Sequence, residues 1–260
     1  MRTFWLAVRT IWQREIIRFM RQRSRLIGAI AQPLAFWLLL GGGFSASFRP
    51  PGALAGSGYL EYLYPGIIVL VLLFTAIFST IAVIEDRKMG FLQGMLVAPI
   101  SRKGIVLGQA LGSATLAMLQ GVVFLVLAPF IGIQLSFATV LAAAAVMFCI
   151  ALALSNLGLI IAWRMESVQG FHAIMNLILM PIWFLSGAFF PATGLPGWFA
   201  WIMRLNPLTY GMAALRRCLY MSSAIAVEHI PPLVPSLLIT ILFACGSFLM
   251  ATSTAERNFQ

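Results

Sequence analysis

Six apolar runs, each near the ~20 residues that carry a helix across a hydrocarbon core, occupy 26–46, 64–84, 105–130, 136–162, 171–190 and 233–252. Charged residues make up only 9% of the 260 positions, against about 25% in an ordinary soluble domain. So few charges cannot cover a water-facing surface, and mean hydropathy is accordingly +0.97. The chain is therefore not a cytosolic enzyme, a disordered tail or a disulfide scaffold. The pattern predicts an all-α polytopic membrane protein. The third and fourth runs are long, which predicts tilt or extension beyond the lipid.

The formal net charge is +10, from 17 Lys and Arg against 7 Asp and Glu. In a soluble domain such an excess would point to nucleic acid. Here the cations flank apolar runs, so they read as topology signals and headgroup anchors, with membrane lipids and no nucleic acid as partners. With the N-terminus in the cytoplasm, that side receives Arg2, Arg9, Arg14, Arg18, Arg21, Arg23, Arg25, Arg87, Lys88, Arg102, Lys103, Arg164 and Arg257. The far side receives Arg49, Arg204, Arg216 and Arg217. This asymmetry predicts a multi-pass protein of the bacterial inner membrane, both termini cytoplasmic. Arginines precede the first apolar run, and no cleavable signal peptide is expected. Cys149, Cys218 and Cys245 have no spacing that suggests a disulfide framework or zinc site. His172 and His229 are isolated, so no metal site is expected.

Residues 3–24 read as an interfacial helix. At 100° per residue, Phe4, Trp5, Val8, Ile11, Trp12, Ile16 and Phe19 share a face, and Arg9, Gln13, Arg14, Arg18 and Arg21 take the other. That pattern predicts aromatics in the acyl boundary and arginines among phosphates. Glu15 falls on the apolar face, with two readings open: snorkelling or pairing with a neighbouring Arg, or a specific ion pair with a span or partner.

Two further segments are too short to span. The loop 85–104, EDRKMGFLQGMLVAPISRKG, opens with four charges, carries an amphipathic stretch over 89–97 and turns at Pro99. The segment 191–217 is apolar but cut by Pro196 and by Asn206-Pro207, leaving pieces of roughly ten residues each. An Asn-Pro pair favours a turn. Two short apolar helices around it predict a re-entrant hairpin, tolerated in a membrane only where protein or a water cavity covers its backbone.

The basic N-terminal helix, IEDRKMGFLQGMLVAPISRKGIVLGQ after the second run, and LSGAFFPATGLPGWFAWIMRLNPLTYGMAALRR together resemble the membrane subunit of ABC-2 type exporters. The last piece is the most specific: SG-x-FFP, LP-x-W, NP-L-T-Y, then an LR pair. The resemblance covers nearly the whole chain. It implies a type V exporter-like architecture: an elbow helix (1–25), then a six-span transmembrane domain (26–260) with a cytoplasmic coupling helix and an external re-entrant helical hairpin. It further implies a homodimer driven by two copies of a separate ABC ATP-binding subunit. The resemblance makes the loop after the second span the coupling element on the ATPase: Glu85, Asp86, Arg87, Lys88, Gly90, Phe91, Gly94 and Pro99. It makes the broken segment an external gate: Pro191, Pro196, Trp198, Asn206, Pro207, Tyr210 and Arg216. It lines the central path with the second and fifth spans, where Phe74, Phe78, Asn176, Met180 and Phe184 are the candidate cavity residues. The chain holds no G-x-x-x-x-G-K-[ST] phosphate loop, so ATP and Mg are expected on the partner and no cofactor on this chain.

Bland readings stand beside these. The 85–88 cluster also fits an ordinary solvated flank. Gly104, Gly108 and Gly112 form a small-residue stripe, read as helix packing. Gln109, Gln120, Asn156 and Asn176 need partners inside a membrane, and bridging a neighbouring helix is the default, with Asn176 the better cavity candidate. Pro181 permits a static kink or a hinge. Arg216 and Arg217 fit outer-leaflet phosphate anchors or guides for an anionic headgroup. The expected cargo is lipophilic, a drug or lipid. A polysaccharide or lipo-oligosaccharide would fit the same scaffold. A membrane-embedded enzyme would need convergent acid, base or metal groups, and an ion channel a charged ring. The sequence shows neither.

Overall fold

The computed structural model describes residues 2–44, 59–97, 100–190, 195–221 and 230–257. Eleven α-helices are defined among them, and no strand. They are α1 (Arg2–Arg21), α2 (Arg23–Phe44), α3 (Tyr59–Ser79), α4 (Ile81–Lys88), α5 (Phe91–Val97) and α6 (Arg102–Leu127). A 3-10 turn follows at Ala128–Ile131, then α7 (Phe137–Ala162), α8 (Val168–Phe184), α9 (Gly197–Leu205), α10 (Pro207–Leu219) and α11 (Leu233–Arg257).

Short polar side chains start these helices. Ser101, Ser136 and Ser167 precede α6, α7 and α8, and each hydroxyl accepts from the backbone N–H three residues on, at 3.2, 3.2 and 3.0 Å. Each satisfies one of the free donors of a helix N-terminus. Asn206 does the same for α10, accepting from Leu208 N at 3.0 Å, with Pro207 at the first helical position, where a missing N–H costs nothing.

Four helices are long and apolar enough to cross a membrane: Tyr59–Lys88, Arg102–Ile131, Phe137–Ala162 and Leu233–Arg257. The first and fifth expected spans correspond to the shorter apolar stretches Ile30–Gly43 and Val168–Phe184. The expected span to residue 190 therefore ends early. Gly187 takes φ +80°, the left-handed conformation that closes a helix, and residues 185–190 form a turn.

The core centres on α3. From Leu63 to Leu73 every residue of α3 is buried, wrapped by α2, α6, α7, α8 and α10. A helix apolar all round is what such a position requires. α11 packs on α7 and α10 and turns Val234, Leu238, Leu242 and Leu249 outward.

Candidate functional site

Three regions carry the sequence-derived candidates. At one end of the bundle, α1 lies along α6. The glycine stripe is the groove that admits it. A Cβ at Gly104 would stand 3.3 Å from the Phe4 ring, at Gly108 2.9 Å from Ile11 Cβ, and at Gly112 2.7 Å from Glu15 Cβ. Val8, Ile11, Glu15 and Phe19 are buried, and the Trp12 indole donates to Thr115 Oγ1 at 3.0 Å. This corrects the interfacial reading of that face: much of it meets protein rather than lipid, while Trp5 stays exposed. Close approach explains why. Two helices separated by small residues gain van der Waals contact that lipid tails do not provide.

On α1, Arg14 donates to both Glu15 and Asp86, and Arg18 donates to Glu85 and, at 2.9 Å, to Asp86 Oδ1. Asp86 is buried. Arg87 turns the other way and donates to the carbonyls of Trp163 (2.6 Å) and Met165 (3.0 Å), capping the end of α7 as a cation should. Three consecutive residues thus tie α4 to α1 on one side and to the α7–α8 connection on the other. Glu15 takes the first of its readings, pairing with the neighbouring Arg14, and it is Arg14 that reaches α4 at Asp86. Burial pushes its carboxyl above the ordinary range, with the Arg14 guanidinium opposing that shift.

The charged collar is therefore engaged within the chain, and only Lys88 of the four is exposed. Gly90 then takes φ +74°, a conformation open to glycine at no steric cost, and turns α4 into α5. On α5 Leu92 is buried. Phe91 lies 4.4 Å beneath the Arg14 guanidinium. A cavity of about 380 Å³ between the two helices is lined by Leu6, Ala7, Ile11, Phe91 and Met95. Gly94 faces open space, and Met89 and Val97 are 68% and 88% exposed. Pro99 lies outside the described residues.

The second region is where α8 packs on α3. Phe74 and Phe78 stack at 5.5 Å, and His172 continues the stack on Phe78 at 4.9 Å. Asn176 is exposed on α8, and Met180 and Phe184 are half-buried. Phe184 packs edge-on against Trp183 and Phe189 and so belongs to the far turn rather than to the Phe74–Phe78 stack. Of the other polar positions expected to bridge helices, Gln120 accepts from Thr75 and Asn156 donates to the Ala244 carbonyl at 3.2 Å, whereas the buried Gln109 amide bonds to no described residue.

The third region is the opposite end. Asn206 sits between α9 and α10, and its Nδ2 donates to the Ile182 carbonyl at 2.7 Å. Thr209 donates to the carbonyls of Met203 (2.7 Å) and Leu185 (3.2 Å). The Tyr210 hydroxyl donates to the Arg204 carbonyl at 3.0 Å. The N-P-L-T-Y run therefore supplies hydrogen-bond partners to the broken backbone of α9 and α10 and to the end of α8. Pro196 caps α9, and Trp198, Trp201 and Leu205 are exposed along it. Pro191 lies outside the described residues.

Arg216 departs from its reading as an outer anchor. It is 7% exposed, stacked 4.2 Å over the Tyr62 ring. Arg217 donates to the carbonyls of Ile230 and Pro231 at 2.6 and 2.7 Å, fastening α10 to the start of α11. Arg14, Arg18, Tyr62 and His172 are the site residues that sequence reasoning did not assign. The placement of Glu15 on an apolar face was the one local sign of the first two.

The family model for ABC-2 type transporters matches residues 7–220. Among the relatives that it matches, the putative transport permease ycf38 of Cyanophora paradoxa is 30% identical over 207 residues, covering 78% of this chain and 71% of that protein. Nodulation protein J of Rhizobium leguminosarum bv. trifolii is 30% identical over 215 residues, covering 82% and 79%. The inner membrane transport permease YadH of Escherichia coli (strain K12) is 23% identical over 265 residues, covering 99% and 98%.

Proposed function

The chain belongs to the ABC-2 type transporter family, and on that premise we propose that it is the membrane subunit of an ATP-driven exporter. Members of this family are transport permeases rather than enzymes and normally work with an ATP-binding subunit. In the proposed assembly two copies of this chain meet two copies of that subunit, which carries ATP and Mg. Six spans, formed by α2, α3–α4, α6, α7, α8 and α11, cross the inner membrane with both termini in the cytoplasm. Residues 1–25 act as the elbow, α5 as the coupling helix and α9–α10 as the external re-entrant hairpin.

The observation that carries this reading is the exposure of Phe91 and Val97 on α5 and of Met89 just before it, beside a charge belt that is closed within the chain. Exposed apolar side chains grouped in this way mark a contact surface. A push on α5 passes through Gly90 to α4. From there the belt carries it to α1 and to the α7–α8 connection, so the cytoplasmic elements move together. The path between α3 and α8 then opens outward, provided the two states differ in affinity for ATP or cargo. The Phe74–Phe78–His172 stack offers a soft, largely apolar wall, which, with Met180 further along α8, suits a lipophilic or amphipathic cargo such as a drug or lipid.

The test is co-expression with the ATP-binding subunit. Met89→Glu with Val97→Glu is expected to abolish co-purification and cargo-stimulated ATP hydrolysis while the permease stays monodisperse. Retained association and export in that double variant would overturn the coupling assignment. Uphill transport by the chain alone in vesicles would overturn the partner-driven reading itself.

A further inference from the structure

The Arg216 side chain, on α10, donates to the carbonyls of Tyr62 (3.2 Å) and Gly187 (3.3 Å). The Tyr62 hydroxyl donates to the same Gly187 carbonyl at 3.2 Å. Beside them the Tyr59 hydroxyl donates to the Phe189 carbonyl at 3.0 Å. The 185–190 turn is thus fastened to the start of α3 and to α10 by side-chain donors on backbone carbonyls, with Gly187 held in its left-handed conformation.

Two features set Arg216 apart from a static anchor. Among the described residues it forms no salt bridge, and its buried Nε has no hydrogen-bond partner. A buried cation is held firmly when an acid and a full set of acceptors surround it. Here the charge is matched by two carbonyls at the long end of the hydrogen-bond range and by one aromatic face. Withdrawal to water would restore the guanidinium's solvation and break no backbone hydrogen bond. The fastening is closed, yet cheap to open.

We propose that Arg216 is a releasable latch: it ties the 185–190 turn to α10 and to the start of α3, and its withdrawal loosens that turn, leaving Gly187 and Phe189 to the Tyr62 and Tyr59 hydroxyls. In transport the latch takes its meaning from the reading of 191–217 as the outer closure, and release would accompany outward opening. Asn206 and Thr209 bond to Ile182 and Leu185, so the α8–α9–α10 junction and the first residue of the turn stay in place while Gly187 loosens. Arg216 is in this sense a positioning residue and touches no cargo.

The test uses the purified full chain in detergent, independent of any partner or cargo. Cys149, Cys218 and Cys245 are replaced by Ala, and Ser186→Cys introduces a thiol at a position that is 1% exposed. Maleimide labelling of that thiol reads the opening of the turn. Ser155→Cys, at a 0% exposed position of α7, reads global loosening in a parallel protein. Arg216→Gln is expected to speed labelling at 186 about tenfold, the scale of a lost hydrogen bond from a charged donor, with labelling at 155 unchanged. Arg216→Lys and Tyr62→Phe, which keep the charge or the ring, are expected to fall between. Unchanged labelling at 186 in all three variants, or equal acceleration at 186 and 155, would overturn the latch. Because no transport is measured, failure of the permease reading would leave the labelling result standing, and loss of the latch would leave the permease reading intact.

Discussion

Asp86 of α4 accepts hydrogen bonds from both Arg14 and Arg18, one helical turn apart on α1, the second at 2.9 Å between Nη1 and Oδ1. The carboxylate is nearly buried while the guanidiniums stay about a quarter exposed. Removing it leaves two cations side by side on one face of α1, with Glu15 and Glu85 as their remaining acidic partners. Breaking a fully buried pair costs about 3–5 kcal/mol, and the partial exposure of the arginines lowers this to about 2 kcal/mol. Asp86→Asn is therefore expected to lower the melting temperature in detergent and to expose α1 to limited proteolysis. An unchanged melting curve with α1 still protected would show that the pair does not hold the helix.

The glycine groove makes a sharper steric claim. At Gly108 a Cβ would lie 2.9 Å from Ile11 Cβ and 3.0 Å from the Val8 carbonyl. Gly108→Val should overpack the α1–α6 contact and destabilise by about 1–3 kcal/mol. Gly94 meets nothing within 4 Å, so Gly94→Ala should stabilise α5 by a few tenths to about 1 kcal/mol through helix propensity alone. Gly94→Pro should instead break α5 and impair ATP-driven transport with the bundle still folded. Thermal denaturation of the three variants, with transport measured for the last, checks this ordering.

Glu15 gives a pH signature. Its carboxyl is raised above the ordinary value of 4.5 by burial, so the folded state binds this proton more tightly than the unfolded state. The resulting stability is fully present below pH 4.5 and is lost as pH rises through the raised folded value. Glu15→Gln removes that dependence and leaves Arg14 its bond to Asp86. The difference in melting temperature between wild type and Glu15→Gln, followed from about pH 4 to pH 7, should move in favour of the variant with rising pH. A difference that stays flat would refute the shift.

Asn206 separates capping from bridging. Asn206→Asp keeps the acceptor for Leu208 N but loses the donor to the Ile182 carbonyl. Asn206→Ala loses both. Each bond contributes about 1 kcal/mol, so the alanine variant should melt below the aspartate variant, and the aspartate variant below wild type. Equal melting of the two variants would mean that the cap contributes nothing.

Much of the local structure was legible in the chain. The lengths of the long apolar runs set the helices able to cross a membrane, and Asn206-Pro207 fixed where α9 ends and α10 starts. These are properties of a few adjacent residues: helix period, a missing N–H, a short acceptor side chain. The end of α8 was misread because Phe189 and Phe190 continue the apolar run, and hydropathy does not register the left-handed Gly187 that stops the helix.

What only the tertiary structure decided was where each polar or amphipathic face points. The apolar stripe on α1 looks the same in sequence whether lipid or the Gly104–Gly108–Gly112 groove covers it. The partners of Glu85 and Asp86 stand about seventy positions away, so no local pattern pairs them. Arg216 lies among aromatic and apolar neighbours that would equally suit an outward-facing anchor, yet it turns inward onto Tyr62 and Gly187. Periodicity sets the side of a helix on which a residue lies, but the packing of distant helices sets what that side meets.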